Sequence, residues 1–330
     1  MIRFFFKSLL LSLTAILFTW FFEGAFYTYK YTRAEDISDT AQVKQESKFV
    51  FPKPTVFLPE LRDTNFLLLG MAGKPYPAPD LTDTIIVGMV RRDPARLTLV
   101  SIPRDLFIKV PGGTQAMRIN ALYSIGKSFS PLAPETFIKA KVEELTGLAM
   151  DYYAGIDIKG LEGVIDALGG VEVDIKKPIM DPLFPGPNYS YEPFYLEAGA
   201  HHLNGHDAVR FVRSRYAPRG DFERIGRQQD LLVSLRRKVK DEGISLDKVK
   251  ELFTTLGGHF FGNMTVGDIP LGFNTLLKLE GENIKSFTID NGPEGLLKPY
   301  HNGTGASLLI PKAGFEDYSQ IHKFFTDISA

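Results

Sequence analysis

The stretch Asp157–Ile175, DIKGLEGVIDALGGVEVDI, decides the fold. Leu161, Val164, Ile165 and Leu168 recur at helical spacing and share one face. Asp157 can cap the start of that helix and Gly169 can end it. Val171–Ile175 then switches to strict alternation, the pattern of a strand with one buried side. A helix feeding a strand through a glycine turn predicts an α/β protein.

The segments on either side extend that pattern. Asn65–Gly70 (NFLLLG), Thr84–Val90 (TIIVGMV) and Leu97–Ile102 (LTLVSI) are short continuous apolar runs, expected of strands covered on both faces. Pro134–Leu145 reads as a helix with Gly147 at its C-terminal cap. Phe222–Val239 reads as another, with Phe222, Ile225, Leu232, Leu235 and Val239 on one face. A strand at Ile284–Ile289 and a last helix near Phe315–Ile328 follow. The expectation is a central sheet flanked by helices. Residues 176 to 195 hold Pro178, Pro182, Pro185, Pro187 and Pro193 with Tyr189, Tyr191 and Tyr195. This long loop is either a lid or binding loop, or a solvent-exposed insertion.

The N-terminus differs from the rest. Arg3 and Lys7 flank an apolar run from Ser8 to Phe22 that Glu23 ends. Extended back over Phe4–Phe6, it approaches the ~20 residues that span a bilayer. Trp20, Tyr27 and Tyr29 suit the far interface. The alternative is a cleaved signal peptide, but the apolar region is long and lacks a clear A-x-A site. Residues 1–29 therefore read as one membrane anchor. The charges on its two sides balance, but the two-residue head is most simply kept inside, which sends the bulk of the chain outward. Residues 30–64, with Pro52, Pro54 and Pro59, read as a spacer.

The formal net charge of −1 over 330 residues gives no global field for nucleic acid, so anion binding must come from local clustering. The absence of cysteine excludes disulfides and thiolate metal sites.

Such a cluster lies between Arg210 and Arg227, where Arg210, Arg213, Arg215, Arg219, Arg224 and Arg227 occur without a lysine. Guanidinium binds phosphate through paired hydrogen bonds. Arg213 and Arg215 point the same way if the chain is extended. Arg224 and Arg227 share a helix face, and Asp221 can cap that helix, whose positive end favours an anion. The alternative is a salt-bridged surface using Asp221, Glu223 and Asp230. Ser101–Asp105 (SIPRD) places Arg104 just past a strand end, where α/β sheets bind ligands. Pro79–Thr84 (PDLTDT) offers Asp80 and Asp83; carboxylates beside phosphate need a cation, and Mg2+ suits oxygen ligands. An Asx turn or cap would explain the same aspartates. His201, His202 and His206 invite a zinc reading, but no third ligand stands at a familiar spacing.

The motifs LLLG, DLTDTI, SIPRD, RINALY, GLEGVIDALGGVEVDI, LNGHDAVRFVRSR and GDFERIGRQQ, in this order, resemble the LytR–CpsA–Psr family from about Asn65 to Lys240. A weaker likeness continues to the C-terminus, so residues 65–240 read as the catalytic domain and 241–330 as its continuation. The resemblance implies a mixed α/β sheet with an apolar lipid-binding tunnel. It also implies a single-pass cell-membrane protein with its domain outside the cytoplasm. The implied activity is a Mg2+-dependent phosphotransferase. It moves a glycopolymer from a polyprenyl-pyrophosphate carrier to a peptidoglycan or other wall acceptor, with no nucleic-acid partner. By motif, Arg104, Arg213 and Arg215 would bind the pyrophosphate and serve catalysis. Arg118 and Arg224 would join them as substrate contacts, with Arg227 and Gln229 in support. Asp83 would hold the metal, and Asp221 could act on the acceptor proton. Two positions depart from the family pattern. Ala72 stands where many members have aspartate, and Leu81 where many have arginine. Asp80 could replace the missing carboxylate. A pyrophosphatase and a non-catalytic carrier-lipid binder are the rival functions.

Overall fold

Ile85, Val87 and Met89 alternate with Ile86 and Val90 along one strand, and all five are buried. Such a strand needs cover on both faces. The computed structural model describes residues 63–130, 133–185, 190–243, 252, 257–263, 279, 283–303, 305 and 307–329. Its central sheet contains β1 (Thr64–Met71), β2 (Thr82–Arg92), β3 (Ala95–Ser101), β4 (Tyr152–Asp157), β5 (Phe260–Gly262) and β6 (Ile284–Thr288). They lie in the order β5–β4–β1–β2–β3–β6. The β1–β2, β2–β3 and β4–β5 pairs are antiparallel, whereas β1–β4 and β3–β6 are parallel. The sheet is therefore mixed, as the resemblance implied.

Among the described residues six α-helices frame it: α1 (Leu122–Phe129), α2 (Thr136–Thr146), α3 (Ile158–Ala167), α4 (Gly205–Arg213), α5 (Asp221–Glu242) and α6 (Ser319–Ser329). One sheet face packs Leu67, Leu69, Ile85 and Val87 against Ile138 and Val142 of α2 and Ile321 and Phe325 of α6. The other packs Ile86, Val90, Leu97 and Leu99 against Leu232 of α5.

The helix read at Asp157–Gly170 is α3, and Asp157 caps it by accepting the Gly160 N–H at 2.9 Å. Gly147 ends α2 in the left-handed conformation, with φ 71°. Val171–Ile175 forms a strand, but it pairs with Gly199–Leu203 in a separate ribbon outside the central sheet. Only one of its faces is buried, against α3, α4 and α5, which suits a ribbon and not a doubly covered strand.

Two local readings differ. Arg213 is helical, the last residue of α4, and is not in extended chain. Asn204 caps α4 by accepting the Asp207 N–H at 2.8 Å, and buried Ala208, Val209, Phe211 and Val212 hold the helix down. The N-cap of α5 is Gly220, with no side-chain cap; the Asp221 carboxylate turns to Arg224 instead. The expected anchor over 1–29, and the spacer except its last two residues, lie outside the described residues. Among the described residues no helix is long and apolar enough to cross a membrane.

The topology gathers the ends that matter. Because β1, β3 and β4 run the same way and β2 runs against them, one edge collects Ala72 after β1, Asp83 at the start of β2, Arg104 after β3 and Asp157 at the end of β4. Gly73 folds the chain over that edge at φ 71°, and a Cβ there would lie 2.6 Å from the Asp157 carboxylate.

A buried ion pair fixes the C-terminal segment. The Lys141 ammonium, almost wholly enclosed, bonds Glu316 at 3.0 Å and Glu144 at 2.9 Å. Glu316 also accepts from Tyr318 Oη at 2.6 Å and from the Lys109 N–H at 2.9 Å. Its own backbone is left-handed, at φ 63°, a costly conformation held by these bonds. Glu316→Gln removes the charge opposite a buried ammonium, so chemical denaturation should show a loss of about 3 kcal/mol. An unchanged unfolding midpoint would rule out this anchoring role.

Candidate phosphate-binding cleft

At the gathered edge lies a cleft of about 680 Å³. One part of its wall is apolar, with Met71, Ala72, Ile156, Ile158, Leu161 and Leu183. The other part carries Asp83, Arg213, Arg215 and Arg224.

The charged end is built around two carboxylates. Arg104 Nη1 donates to Asp83 Oδ1 at 2.6 Å, and its Nε lies 3.5 Å from Asp221. Arg215 stands 3.6 Å from both Asp83 and Asp221. Arg224 clamps Asp221 through two bonds, of 2.8 and 2.9 Å, and donates to the Asp83 carbonyl at 3.0 Å. Arg118 pairs with Asp105 at 3.0 Å beside Arg104. Arg104, Arg213, Arg215 and Arg224 thus share the two carboxylates Asp83 and Asp221, an excess of two positive charges within this cluster, while Asp157 and Asp181 also line the cleft. The buried Arg104 Nε has no hydrogen-bond acceptor. A site with surplus charge and a free buried donor is suited to an anion with several oxygens.

The pKa directions agree. Burial pushes the Arg215 guanidinium below its ordinary value, and the cations Arg104 and Arg224 push the same way. Burial also lowers Arg213, against Tyr76 and Asp83. Burial opposes the Arg104 charge too, but Asp83, Asp221 and Asp105 outweigh it and hold that pKa above the ordinary value. Burial raises the Asp221 carboxyl, but the Arg224 bonds and the charges of Arg224, Arg104 and Arg215 outweigh it and hold it low. An anion bound here would relieve both Arg213 and Arg215. The two bonds to Arg224 and the nearby Arg104 and Arg215 make Asp221 a clamp for the arginines.

Other expected residues take supporting places. Arg227 is buried and donates to the Phe211 carbonyl at 2.9 Å and to the Ser214 carbonyl. Gln229 donates to Ser101 Oγ at 2.9 Å and to the Phe287 carbonyl at 2.7 Å. Neither lines the cleft; both brace its walls. Asp80 is paired with Lys127 at 2.7 Å and does not line the cleft beside Asp83. Arg210 stacks on Phe194 at 4.6 Å, and Arg219 pairs with Asp290 at 2.9 Å. His202 and His206 face different glutamates, Glu172 and Glu162. Among the described residues no three histidine, aspartate or glutamate side chains cluster as a metal site.

The LytR_cpsA_psr family matches residues 24–307. The chain belongs to that family. Among its relatives, the "Probable cell wall biosynthesis protein LcpB" of Corynebacterium glutamicum is 33% identical over 57% of this chain and 41% of its own length. The "Polyisoprenyl-teichoic acid--peptidoglycan teichoic acid transferase TagU" of Enterococcus faecalis is 26% identical over 57% of this chain and 56% of its own length. The chain thus spans about half the length of these relatives. Among solved structures, B. subtilis TagV superposes with a TM-score of 0.63 at 21% identity, covering 81% of this chain and 97% of that one. "TagT bound to LI-WTA" gives 0.60 at 20% identity, covering 81% and 90%. These likenesses show the fold.

Several residues at or beside the cleft of this LytR_cpsA_psr member have no local sequence pattern that marks them for the site; Asp157 is legible only as a helix cap. Tyr76 and Phe184 flank Arg213, with ring centroids 4.9 and 5.4 Å from the guanidinium. Asp181 is buried and accepts from Ser214 Oγ at 2.7 Å. Asp157 accepts from His259 Nδ1 at 2.8 Å across 102 residues of sequence. Ser214 stood inside the VRSR motif and was the available clue.

The clamp can be tested without substrate. Asp221→Asn leaves buried Arg224 without its counter-charge and should cost about 3 kcal/mol at pH 7. Since the Asp221 pKa is lowered on folding, its contribution is complete above the unfolded value of about 4. It fades as pH falls through the still lower folded value. Denaturation of both proteins at several pH values should show a constant gap down to about pH 4, narrowing below that. A gap that shrinks between pH 8 and pH 5 would contradict the clamp.

Proposed function

We propose that this chain is a phosphotransferase that moves a cell-wall glycopolymer from a polyprenyl-pyrophosphate carrier to a hydroxyl of a wall acceptor such as peptidoglycan. The observation that carries the reading is one cleft that combines the arginine cluster around Asp83 and Asp221 with apolar lining from Met71, Ala72, Ile156, Ile158, Leu161 and Leu183. A lipid pyrophosphate has the same two-part chemistry. The TagU relative is a polyisoprenyl-teichoic acid–peptidoglycan teichoic acid transferase, the LcpB relative a probable cell wall biosynthesis protein, and the TagT structure is of the protein bound to LI-WTA. The proposed location is the outer side of the cell membrane, held by residues 1–29.

In this reading Arg104, Arg213 and Arg215 receive the pyrophosphate oxygens. Arg104 and Arg215 are held ready by Asp83 and Asp221, so little reorganisation accompanies binding. The acceptor hydroxyl oxygen bonds to the phosphorus that carries the sugar. The bridging P–O bond breaks, polyprenyl phosphate leaves with the electron pair, and the hydroxyl proton passes to solvent. Charge growing on the leaving phosphate meets guanidiniums that are already in place. The apolar wall from Met71 to Leu183 would hold the first isoprene units and orient the phosphate.

Magnesium belongs to the proposal. Asp83, which lines the cleft, would be the carboxylate ligand, shared with Arg104 at its Oδ1 and with Arg215 at 3.6 Å from its Oδ2; Mg2+ takes one or two carboxylates and completes its shell with phosphate and water. When bound, it would neutralise pyrophosphate charge. Ala72 offers no oxygen ligand in its side chain, and Asp80 is engaged by Lys127.

Purified full-length protein should transfer a lipid-linked sugar to peptidoglycan fragments. Chelation should stop transfer and added Mg2+ restore it. Arg215→Ala should lower the rate by roughly 10²–10³-fold, the usual cost of losing one preorganised charge donor. Equal rates for the two proteins would sink the reading. Release of free sugar phosphate in the presence of acceptor would favour a pyrophosphatase instead.

A further inference from the structure

The loop after the Val171–Ile175 strand is a hairpin of reversed polarity. Ile179–Asp181 pairs antiparallel with Phe194–Leu196, and Pro185 bridges to Tyr191. Its inner face is apolar, as expected: Ile179, Phe184 and Phe194 are buried in the cluster under α3, α4 and α5. Its outer face is apolar too. Met180 is directly opposite Tyr195 in the register, and they are 63% and 55% exposed. Leu183 and Tyr191 are 55% and 64% exposed. Of the seven strongly exposed large apolar side chains among the described residues, four lie in this one hairpin, so chance scatter does not explain them. An antiparallel ribbon facing water normally carries polar residues outward.

The surroundings identify what covers that face. Tyrosine with methionine and leucine is the composition of a bilayer interface, where the hydroxyl stays at the headgroups and the ring enters the acyl boundary. Lys176 and Lys177 are exposed at the base of the hairpin, Lys176 paired with Asp174, and Glu192 and Glu197 are exposed on the returning arm, so charge does not favour the face and its apolar side chains carry the argument. The hairpin is also continuous with the cleft. Asp181, Leu183 and Pro185 line it, and Phe184 stacks on Arg213 at its charged end. Leu183 thus belongs both to the exposed face of the hairpin and to the lining of the cleft.

We propose that the Ile179–Leu196 hairpin dips its Met180, Leu183, Tyr191 and Tyr195 face into the surface of the lipid bilayer. The carrier lipid then slides from the membrane into the apolar end of the cleft without crossing water. This inference rests on the carrier-lipid reading for its purpose, but its geometry can be measured without turnover.

The chain has no cysteine, so single-cysteine variants can carry one environment-sensitive fluorophore each. Full-length Tyr191→Cys, Tyr195→Cys and, as a control on exposed α6, Lys323→Cys would be labelled and reconstituted into phosphatidylglycerol-containing vesicles. The hairpin labels should shift to the blue. They should also be quenched several-fold more by lipids brominated near the headgroup than the control, matching a depth of about 5–10 Å. Adding Met180→Glu to the Tyr191→Cys protein should restore the emission of a label in water while leaving the thermal unfolding midpoint unchanged. Quenching at both hairpin sites equal to that at Lys323→Cys overturns the proposal. So does a blue shift in vesicle-free solution that grows with protein concentration, which would place a second copy on the face. Quenching with no sugar transfer would remove the proposed function and leave the membrane contact standing. Transfer without quenching would do the reverse.

Discussion

Guanidinium groups repel one another, and this protein crowds several at one end of a cleft. The constraint that makes this possible is the pair of carboxylates Asp83 and Asp221, shared among Arg104, Arg215 and Arg224. Each carboxylate touches at least two arginines, so no guanidinium is left to face its neighbours unscreened. The sharing remains incomplete: Arg104 keeps a buried Nε without an acceptor, and burial together with its neighbouring cations makes the Arg215 charge costly to hold. That incompleteness favours a doubly charged ligand, because the ligand supplies what the protein withholds.

The start of α5 holds this arrangement together. Arg224, Arg227, Gln228 and Gln229 are consecutive or nearly so, and all are buried. Each ties a different piece of backbone or side chain. Arg224 reaches the start of β2, Arg227 and Gln228 reach the end of α4, and Gln229 reaches the ends of β3 and β6. Buried polar groups are costly unless fully bonded, and here their bonds fix where the cleft walls stand. Arg227 and Gln229 therefore serve phosphate binding by holding Phe211 to Ser214 and Ser101 in place, without reaching the cleft themselves. A lysine at position 227 could not make the two directed bonds that Arg227 makes.

The cleft needs its second end as much as its first. Tyr76 and Phe184 flank Arg213, which lines the cleft. Phe184 belongs to the same hairpin that exposes Met180 and Tyr195. One short segment thus links the surface of the molecule to the guanidinium that would hold the phosphate.

The sequence by itself determined the elements whose signals are local. The 3.6-residue spacing after Asp157, the left-handed glycine at 147 and the continuous apolar runs at β1, β2 and β3 each depend on neighbours in the chain. The ordered motifs likewise marked the family and singled out Arg104, Arg213, Arg215 and Asp83. Only the tertiary structure decided which of those side chains share a space. It moved Val171–Ile175 out of the central sheet, made Arg213 helical, turned Asp221 from a helix cap into a clamp, and set Arg227, Gln229 and Asp80 outside the cleft. It also brought Tyr76, Phe184 and Asp181 into it. The physical reason is range. Helix caps and strand alternation are settled within a few residues, whereas Arg224 bonding the Asp83 carbonyl spans 141 positions, and no local pattern encodes such a contact.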